Sequence, residues 1–494
     1  MLATLGIVDQ CVLLLTLVMA IAVGIYFAGR GNSIESYLLG NRDLPWWAIL
    51  GSIVATETST ATVLSVPGEG FGATGLRFLQ LGLGLILGRV VVAIVLLPMY
   101  FRGTKVSAYE VLGVRFGRAT QKTASTIFLI ARNLGDGLRL YLAALVVEQL
   151  VGWSLATSLL LVSIITVVYT FFGGMRSVVW NDCLQMVIYM AGAVASVFAI
   201  AAMTPGGWEA CWDFALQQDK LRIIDLDVSQ NYNLLSGLLG GAVLSIGTHG
   251  TDQMMVQRYL SCRSERDAMK AILGSGLIVF FQFALFLWIG IQLATFYSLT
   301  QETVPAKADQ VYAHFIIYEF PRNTGLVGLM LAAIFAAAMS TLSSSLNSSA
   351  AVIVHDFLRA EKSHEGTSLE HQRWLRRTRW MTVVFGMLQV GIGFLAADWK
   401  DSVISNALRI SGISFGLILG IFVLGMLVDR ADQWSAIAGC FGGCVIVGST
   451  FFLSIRSGWT FSPPTMALIA ASSTLVCGWA ASKVGLRTGS ARLD

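Results

Sequence analysis

A chain of 494 residues that is 55% hydrophobic and 13% charged, with a mean hydropathy of +0.71, is not a soluble globular protein. Soluble domains carry about 25% charged residues. A net charge of +4 and seven scattered cysteines also exclude a basic nucleic-acid surface and a disulfide framework.

Thirteen apolar runs approach the roughly 20 residues of a membrane-spanning helix, so an all-α integral membrane protein is expected. The first, 8–26, has no basic leading region and no A-x-A site, and reads as an uncleaved helix. A loop to Arg42 follows, then the run 46–70, then 79–100. Spans at 123–151 and 154–172 lead to a tight turn at Gly173-Gly174-Met175-Arg176 and a span at 178–202. After a Trp-bearing loop at 205–233 come 234–260 and 268–296, then a loop at 298–323 with a short amphipathic stretch. The remaining spans are 325–358, 380–396, 403–428, 436–455 and 465–482, with a charged loop at 359–379. Cys440 and Cys444 share one face of the run 436–455, where packing or lipid contact explains them.

About two thirds of the 33 Lys and Arg fall on one set of alternate loops, Arg102, Lys105, Arg115, Arg118, Arg258, Arg263 and Arg376 among them. Basic loops face the cytoplasm, which puts the N-terminus outside and the C-terminus inside. The compact loops suit a bacterial inner membrane.

Two runs carry a polar, Gly-rich interruption. Within 46–70 stand Thr56, Glu57, Thr58, Ser59, Thr60 and Thr62, then Pro67, Gly68 and Gly70; within 234–260 stand Gly247 to Gln253. Backbone groups in hydrocarbon need partners, so an interrupted helix survives only where it lines a protein cavity. Secondary transporters build midplane ion and solute sites from such helices, one in each of two inverted repeats. The expected division is a leading helix and loop (1–44), a first five-helix repeat (45–202), an outer loop (203–233), a second repeat (234–428) and two extra helices with a tail (429–494). The hydroxyl-rich stretch Ser340 to Ser345 lies in the run 325–358, with Ala337, Ser340, Thr341 and Ser344 on one helix face. Hydroxyls and carbonyls are ligands for hard cations. That face is expected to meet carbonyls freed near Ala55 and Thr58.

Four segments carry a resemblance: SYLLGNRDLPWW at 36–47, GGMRSVVWND at 173–182, DQMMVQRYL at 252–260 and AAAMSTLSS at 336–344. Together they resemble the sodium:solute symporters, the family of the sugar, proline, sialic acid and pantothenate carriers. The resemblance implies a LeuT-like inverted five-helix repeat with broken first and sixth core helices, and Na⁺ as coupling ion with no other cofactor. It implies a main sodium site at Ala55, Thr58, Ala337, Ser340 and Thr341, and in some members a second sodium at Asp182, Ser343 and Ser344. The alternative for Asp182 is a cap or a pair with Arg176.

Glu57, a carboxylate within a span, reads as a cation ligand, a solute contact or the partner of a buried arginine. Ser59, Thr62, Gln80, His249, Asp252 and Gln253 are further solute-site candidates. Arg132, Asp136 and Arg139 share a helix face, either pairing among themselves or clamping a solute carboxylate; Arg409 is a similar candidate. No phosphate loop, metal-spaced cluster or nucleophile elbow points to an enzyme. The expected function is sodium-coupled import of a small polar organic solute by alternating access, with lipid, Na⁺ and solute as the partners. The competing class is a transporter-like receptor that signals through a partner chain.

Overall fold

The computed structural model describes residues 5–27, 34–103, 105–227, 230, 232–305, 308–358, 368–396, 403–457 and 463–484. Among the described residues the regular structure is helical, with one isolated bridge between Leu44 and Cys262. Nine helices there are long and apolar enough to cross a membrane, and a bent pair makes a tenth.

The helix α1 is Ile7–Tyr26. The bent pair is α2, Trp46–Glu57, and α3, Thr60–Phe71, which meet at 66°. Helix α4 runs from Leu79–Val91 through a π-turn at Val92–Leu96 to Phe101. Next come α5, Arg118–Val151, and the 49-residue α6, Leu155–Met203. Gly174 (φ 56°, ψ −152°) divides α6 at the turn that the sequence marks. A side chain there would stand 2.4 Å from the Tyr37 carbonyl, so only glycine fits.

Helices α7, Leu234–Thr251, and α8, Gln253–Leu260, follow, then α9, Glu265–Thr300. The expected interruption over 247–253 narrows to Asp252 alone. Thr251 Oγ1 bonds back to Gly247 O at 2.8 Å and keeps the last turn of α7 helical, while Asp252 caps α8 through Met254 N at 2.9 Å. Helix α10 is Leu326–Val352 with a π-turn at Ile353–Leu358. Helix α11, Ser368–Ala396, begins well before the expected 380. Its basic residues Arg373, Arg376 and Arg377 lie on an exposed face, Arg377 over the Trp374 ring, so 368–379 is helix in place of loop, while 359–367 of the expected loop lie outside the described residues. Helices α12, Val403–Leu427, α13, Gln433–Ser457, and α14, Pro463–Val484, complete the chain.

Helix α10 is the centre of the fold: every residue from Met330 to Val352 is buried, and it packs on α1, α2, α5, α6 and α11. Lipid offers apolar helices no hydrophobic reason to associate, so close backbone approach through small residues supplies the contact. Cβ atoms on Gly84 or Gly241 would stand 2.2 Å and 2.6 Å from carbonyls across the α4–α7 seam. Gly70 and Gly290 do the same between α3 and α9, where a Gly290 Cβ would lie 1.9 Å from Pro67 O.

Charged groups fasten the ends. Fully buried Asp9 accepts from Asn323 N at 2.7 Å, Gly325 N at 2.9 Å and Gly328 N at 3.2 Å, tying α1 to the N-terminus of α10. At the end bearing residues 203–227, Lys220 Nζ donates to Phe71 O at 2.9 Å and Gly72 O at 2.5 Å, capping α3. Burial and the nearby Arg77 guanidinium hold that ammonium below the ordinary lysine range. The helix Gly207–Gln217 beside it exposes Trp208, Trp212 and Leu216, an interfacial pattern. At the opposite end buried Arg115, which the sequence suggests is a loop cation, donates to Gly425 O, Val428 O and Ala431 O at 3.0–3.2 Å and closes α12. There Asp356 accepts from Ser107 at 3.0 Å, Ser125 at 2.5 Å and Gln121 at 2.9 Å, joining α10 to α5.

Gly290→Ala is expected to force α9 off α3 and to destabilise the protein by about 1–3 kcal/mol, the usual range for overpacking. Gly391→Ala, with nothing within 4 Å of the added carbon, is expected to be neutral. Thermal unfolding of the two detergent-solubilised variants checks the pair.

Candidate ion and solute site

The α2–α3 break supplies carbonyls. Thr58 (φ −81°, ψ 89°) and Ser59 (φ −85°, ψ 169°) leave helical geometry, and the last carbonyls of α2 lose their intrahelical partners. Two are met by α10: Ser340 Oγ donates to Ala55 O at 2.9 Å, and Thr341 Oγ1 to Thr56 O at 3.2 Å. The same hydroxyls reach Ala337 O at 3.1 Å and 3.3 Å. Five oxygens thus converge from two helices, and none of the five residues is more than 3% exposed.

Thr58 is expected to lend its carbonyl, and its hydroxyl is engaged separately. It donates to Val54 O at 2.8 Å and accepts from Gln282 Nε2 of α9 at 2.7 Å. Of the carbonyls near the break, those of Ala55 and Thr56 are met by α10 hydroxyls.

The positions expected around a second sodium hold an arginine. Asp182 Oδ2 lies 2.9 Å from Arg258 Nη2 and accepts from Ser52 Oγ at 2.5 Å. The same guanidinium donates to Thr56 Oγ1 at 2.5 Å and to Ser344 Oγ. Ser343 turns away, donating to Ser340 O at 3.1 Å. Arg176, the alternative partner of Asp182, pairs instead with Asp43 at 3.0 Å. Arg258 is 1% exposed and belongs to the interior, not to a loop.

Glu57, at the end of α2, pairs with buried Arg89 of α4, and His249 Nε2 stands 3.6 Å from the same carboxylate. His249 Nδ1 shares a 2.9 Å hydrogen bond with Tyr259. The sequence holds a signal for Arg89, a lone cation within an apolar run. Asp136 lies between Arg132 (2.7 Å) and Arg139 (2.5 Å), and Arg132 also reaches Asp252 at 3.4 Å. Beside Arg132 a narrow cleft is lined by Phe128, Ser411, Ser414, Phe415 and Ile418. Arg409, partly buried on α12, precedes that cleft by two residues.

Two expected solute residues are used by the scaffold. Gln80 accepts from Asp225 N at 2.9 Å and donates to Arg77 O and Tyr232 O at 3.1 Å, docking the 203–233 segment. Gln253 accepts from Ala108 N at 2.6 Å and donates to Val106 O at 3.0 Å. Ser59 is buried at the break and Thr62 is partly buried three residues on.

A family model described as "Sodium:solute symporter family" matches residues 37–443. The chain belongs to the sodium:solute symporter family. This symporter is 28% identical to the human sodium/iodide cotransporter over 95% of its own length and 73% of the relative's. It is also 28% identical to the rabbit sodium-dependent multivitamin transporter, over 97% and 78%. Mouse sodium-coupled monocarboxylate transporter 1 is 29% identical, over 87% and 70%. Among solved structures it is similar to a substrate-bound, outward-open Na⁺-coupled sialic acid symporter, for which a novel Na⁺ site is described. The TM-score is 0.86 at 25% identity, over 98% of this chain and 100% of that one. A nucleobase-cation-symport-1 family transporter shares the fold, with a TM-score of 0.52 at 13% identity over 92% and 95%.

Arg89→Met leaves Glu57 without its strong partner, and breaking a buried pair costs about 3–5 kcal/mol. Glu57→Gln combined with Arg89→Met is expected to be more stable than Arg89→Met alone. Unfolding midpoints of the single and double variants check this ordering.

Proposed function

We propose that the Na⁺ of this symporter binds among the carbonyls of Ala55, Thr56, Thr58 and Ala337 with Ser340 Oγ and Thr341 Oγ1, and admits a small polar organic solute alongside. The observation that carries the reading is the direct meeting of two α10 hydroxyls with two carbonyls at the α2–α3 break. Hydroxyls that now donate to those carbonyls turn their oxygens toward an entering cation, so binding joins α2 to α10 through the ion. That junction favours one state of the transporter over the other, and a ligand shifts such an equilibrium only through differential affinity. Solute affinity must then rise with Na⁺, and Na⁺ affinity with solute. The electrical part of the driving force is about 2.3 kcal/mol per charge per 100 mV.

The solute is proposed to carry an anionic group. Relatives are named for iodide and monocarboxylates, and the cleft beside Arg132 combines a guanidinium with the hydroxyls of Ser411 and Ser414. Arg132, Arg139 and Arg409 are the candidates to hold a carboxylate; Glu57, Ser59, Thr62, Asp136, His249 and Asp252 shape the surrounding site. Thirteen spans, with 45–202 and 234–428 as inverted repeats and breaks at Thr58–Ser59 and Asp252, are the proposed topology. Orientation with the N-terminus outside rests on the basic loops, and Arg42, Lys105, Arg176 and Arg263 gathering at one end supports it.

Thermal unfolding in NaCl and in KCl tests the ion site without a known solute. The wild-type midpoint is expected to rise with Na⁺, as mass action requires of a ligand that binds the folded state. Ser340→Ala with Thr341→Ala should shift that response to at least tenfold higher Na⁺; an unchanged response refutes the site. Monocarboxylates added to the same assay should stabilise the protein only when Na⁺ is present.

A further inference from the structure

Helix α11 divides by angle into two faces. At about 3.6 residues per turn, Leu375, Thr378, Thr382 and Gln389 share one side, and all four are buried against the bundle. There Gln389 Nε2 donates to Asn133 Oδ1 and to Ser345 Oγ, both at 3.1 Å. The opposite arc carries Val384, Met387, Leu388 and Leu395, each 43–67% exposed, an apolar stripe turned to the lipid. Trp380, 56% exposed, continues that stripe toward the start of α11. One turn further on, the same arc turns basic, with Arg373, Arg376 and Arg377 exposed on it. These arginines stand on the lipid-facing stripe itself, not on the face that meets protein.

Tryptophan gathers at the membrane–water boundary. At about 1.5 Å per residue, Arg377 and Arg376 lie roughly 5–6 Å beyond Trp380 along the axis, and Arg373 roughly 10 Å. The polar zone of each leaflet is about 5–7 Å thick, so the first two guanidinium groups fall at the level of the lipid phosphates. Among the described residues none of the three has a carboxylate partner, whereas nearby Arg42 pairs with Glu35 at 2.9 Å and Arg176 with Asp43 at 3.0 Å. All lie at one end, because Arg379 of α11 stands 5.6 Å over the ring of Tyr37 in the helix Ile34–Leu39. No Asp or Glu occurs between Glu370 and Asp398. The Trp374 ring, 4.8 Å from the Arg377 guanidinium, braces it.

We propose that this arc seats an anionic phospholipid. Its phosphate is held by Arg376 and Arg377 with Arg373 beside them, and its acyl chains lie along the stripe from Trp380 to Leu395. A guanidinium fork matches phosphate oxygens in pairs. A zwitterionic headgroup would bring an ammonium among three like charges, and an anionic one does not. Because α11 packs on α5, α6 and α10, a lipid held there fixes the depth of the helices behind the ion site. The seat depends neither on the sodium ligands nor on which leaflet this end faces.

Tryptophan quenching in lipid nanodiscs reads the seat directly. The full chain is placed in phosphatidylcholine with a minor share of phosphatidylglycerol, with bromine on the acyl chains of one lipid or the other. The Trp380 signal is the difference between the wild type and Trp380→Phe. Per bromine, phosphatidylglycerol is expected to quench it at least twofold more than phosphatidylcholine does. That preference is expected to vanish when both chains also carry Arg373→Gln, Arg376→Gln and Arg377→Gln. Equal quenching in the wild type overturns the seat, as does a preference that survives the three substitutions. Loss of the preference on adding inorganic phosphate at constant ionic strength gives the arginines to a soluble phosphate and also overturns it. Native mass spectrometry of the wild type, which needs no variant to fold, is expected to retain phosphatidylglycerol over phosphatidylcholine; equal retention contradicts the proposal.

Discussion

A helix that stops halfway through hydrocarbon leaves carbonyls that cannot be left bare. In this symporter the stop is at Thr58–Ser59, and the partners of the freed carbonyls are Ser340 and Thr341 of the most enclosed helix in the fold. The pairing is local chemistry with a global consequence, because α10 is also packed on α1, α5, α6 and α11 and cannot follow α2 without moving its neighbours. Whatever replaces those two hydrogen bonds changes how the broken helix sits on the rest of the bundle. A small cation that prefers oxygen is suited to do so.

Three further groups of buried charge surround the break: Glu57 with Arg89 and His249, Asp182 with Arg258, and Asp136 with Arg132, Arg139 and Asp252. Each joins different helices, and each is costly to bury, so they are better explained by fixing relative helix positions than by adding stability. The Asp182 group shares Thr56 with the ion site, and the Glu57 group begins at the adjacent residue of α2. Displacement of α2 is thus felt at α4, α6, α7 and α8 together. The scaffold ends, fastened by Asp9, Lys220, Arg115 and Asp356, lie away from these groups and can hold while the centre rearranges.

Much of this was legible in the sequence. Apart from the start of α11, apolar runs located the helices to within a few residues, and glycine pairs with hydroxyl-rich stretches located the Gly174 turn and the α2–α3 break. The errors have physical reasons. Gly247, Thr248 and Gly250 read as a wide interruption, yet the Thr251 hydroxyl and the Asp252 cap satisfy enough backbone groups to reduce it to one residue. Arg115 and Arg258 counted as loop charge because sequence gives position along the chain but not depth. Gln80 and Gln253 dock neighbouring segments, a use the sequence does not mark, since a buried amide that docks a loop and one that faces a ligand have the same one-dimensional setting. Arg89, the partner of Glu57, is marked only as a lone cation in an apolar run, and Gln282 carries no mark of its pairing with Thr58.

The most direct test of the ion's role at the break is amide hydrogen exchange of the segments 52–62 and 336–346, compared in NaCl and KCl at equal ionic strength. If Na⁺ joins α2 to α10, exchange in both segments slows in NaCl, while the α13 and α14 segments are unaffected. Equal exchange of 52–62 in the two salts would contradict the account.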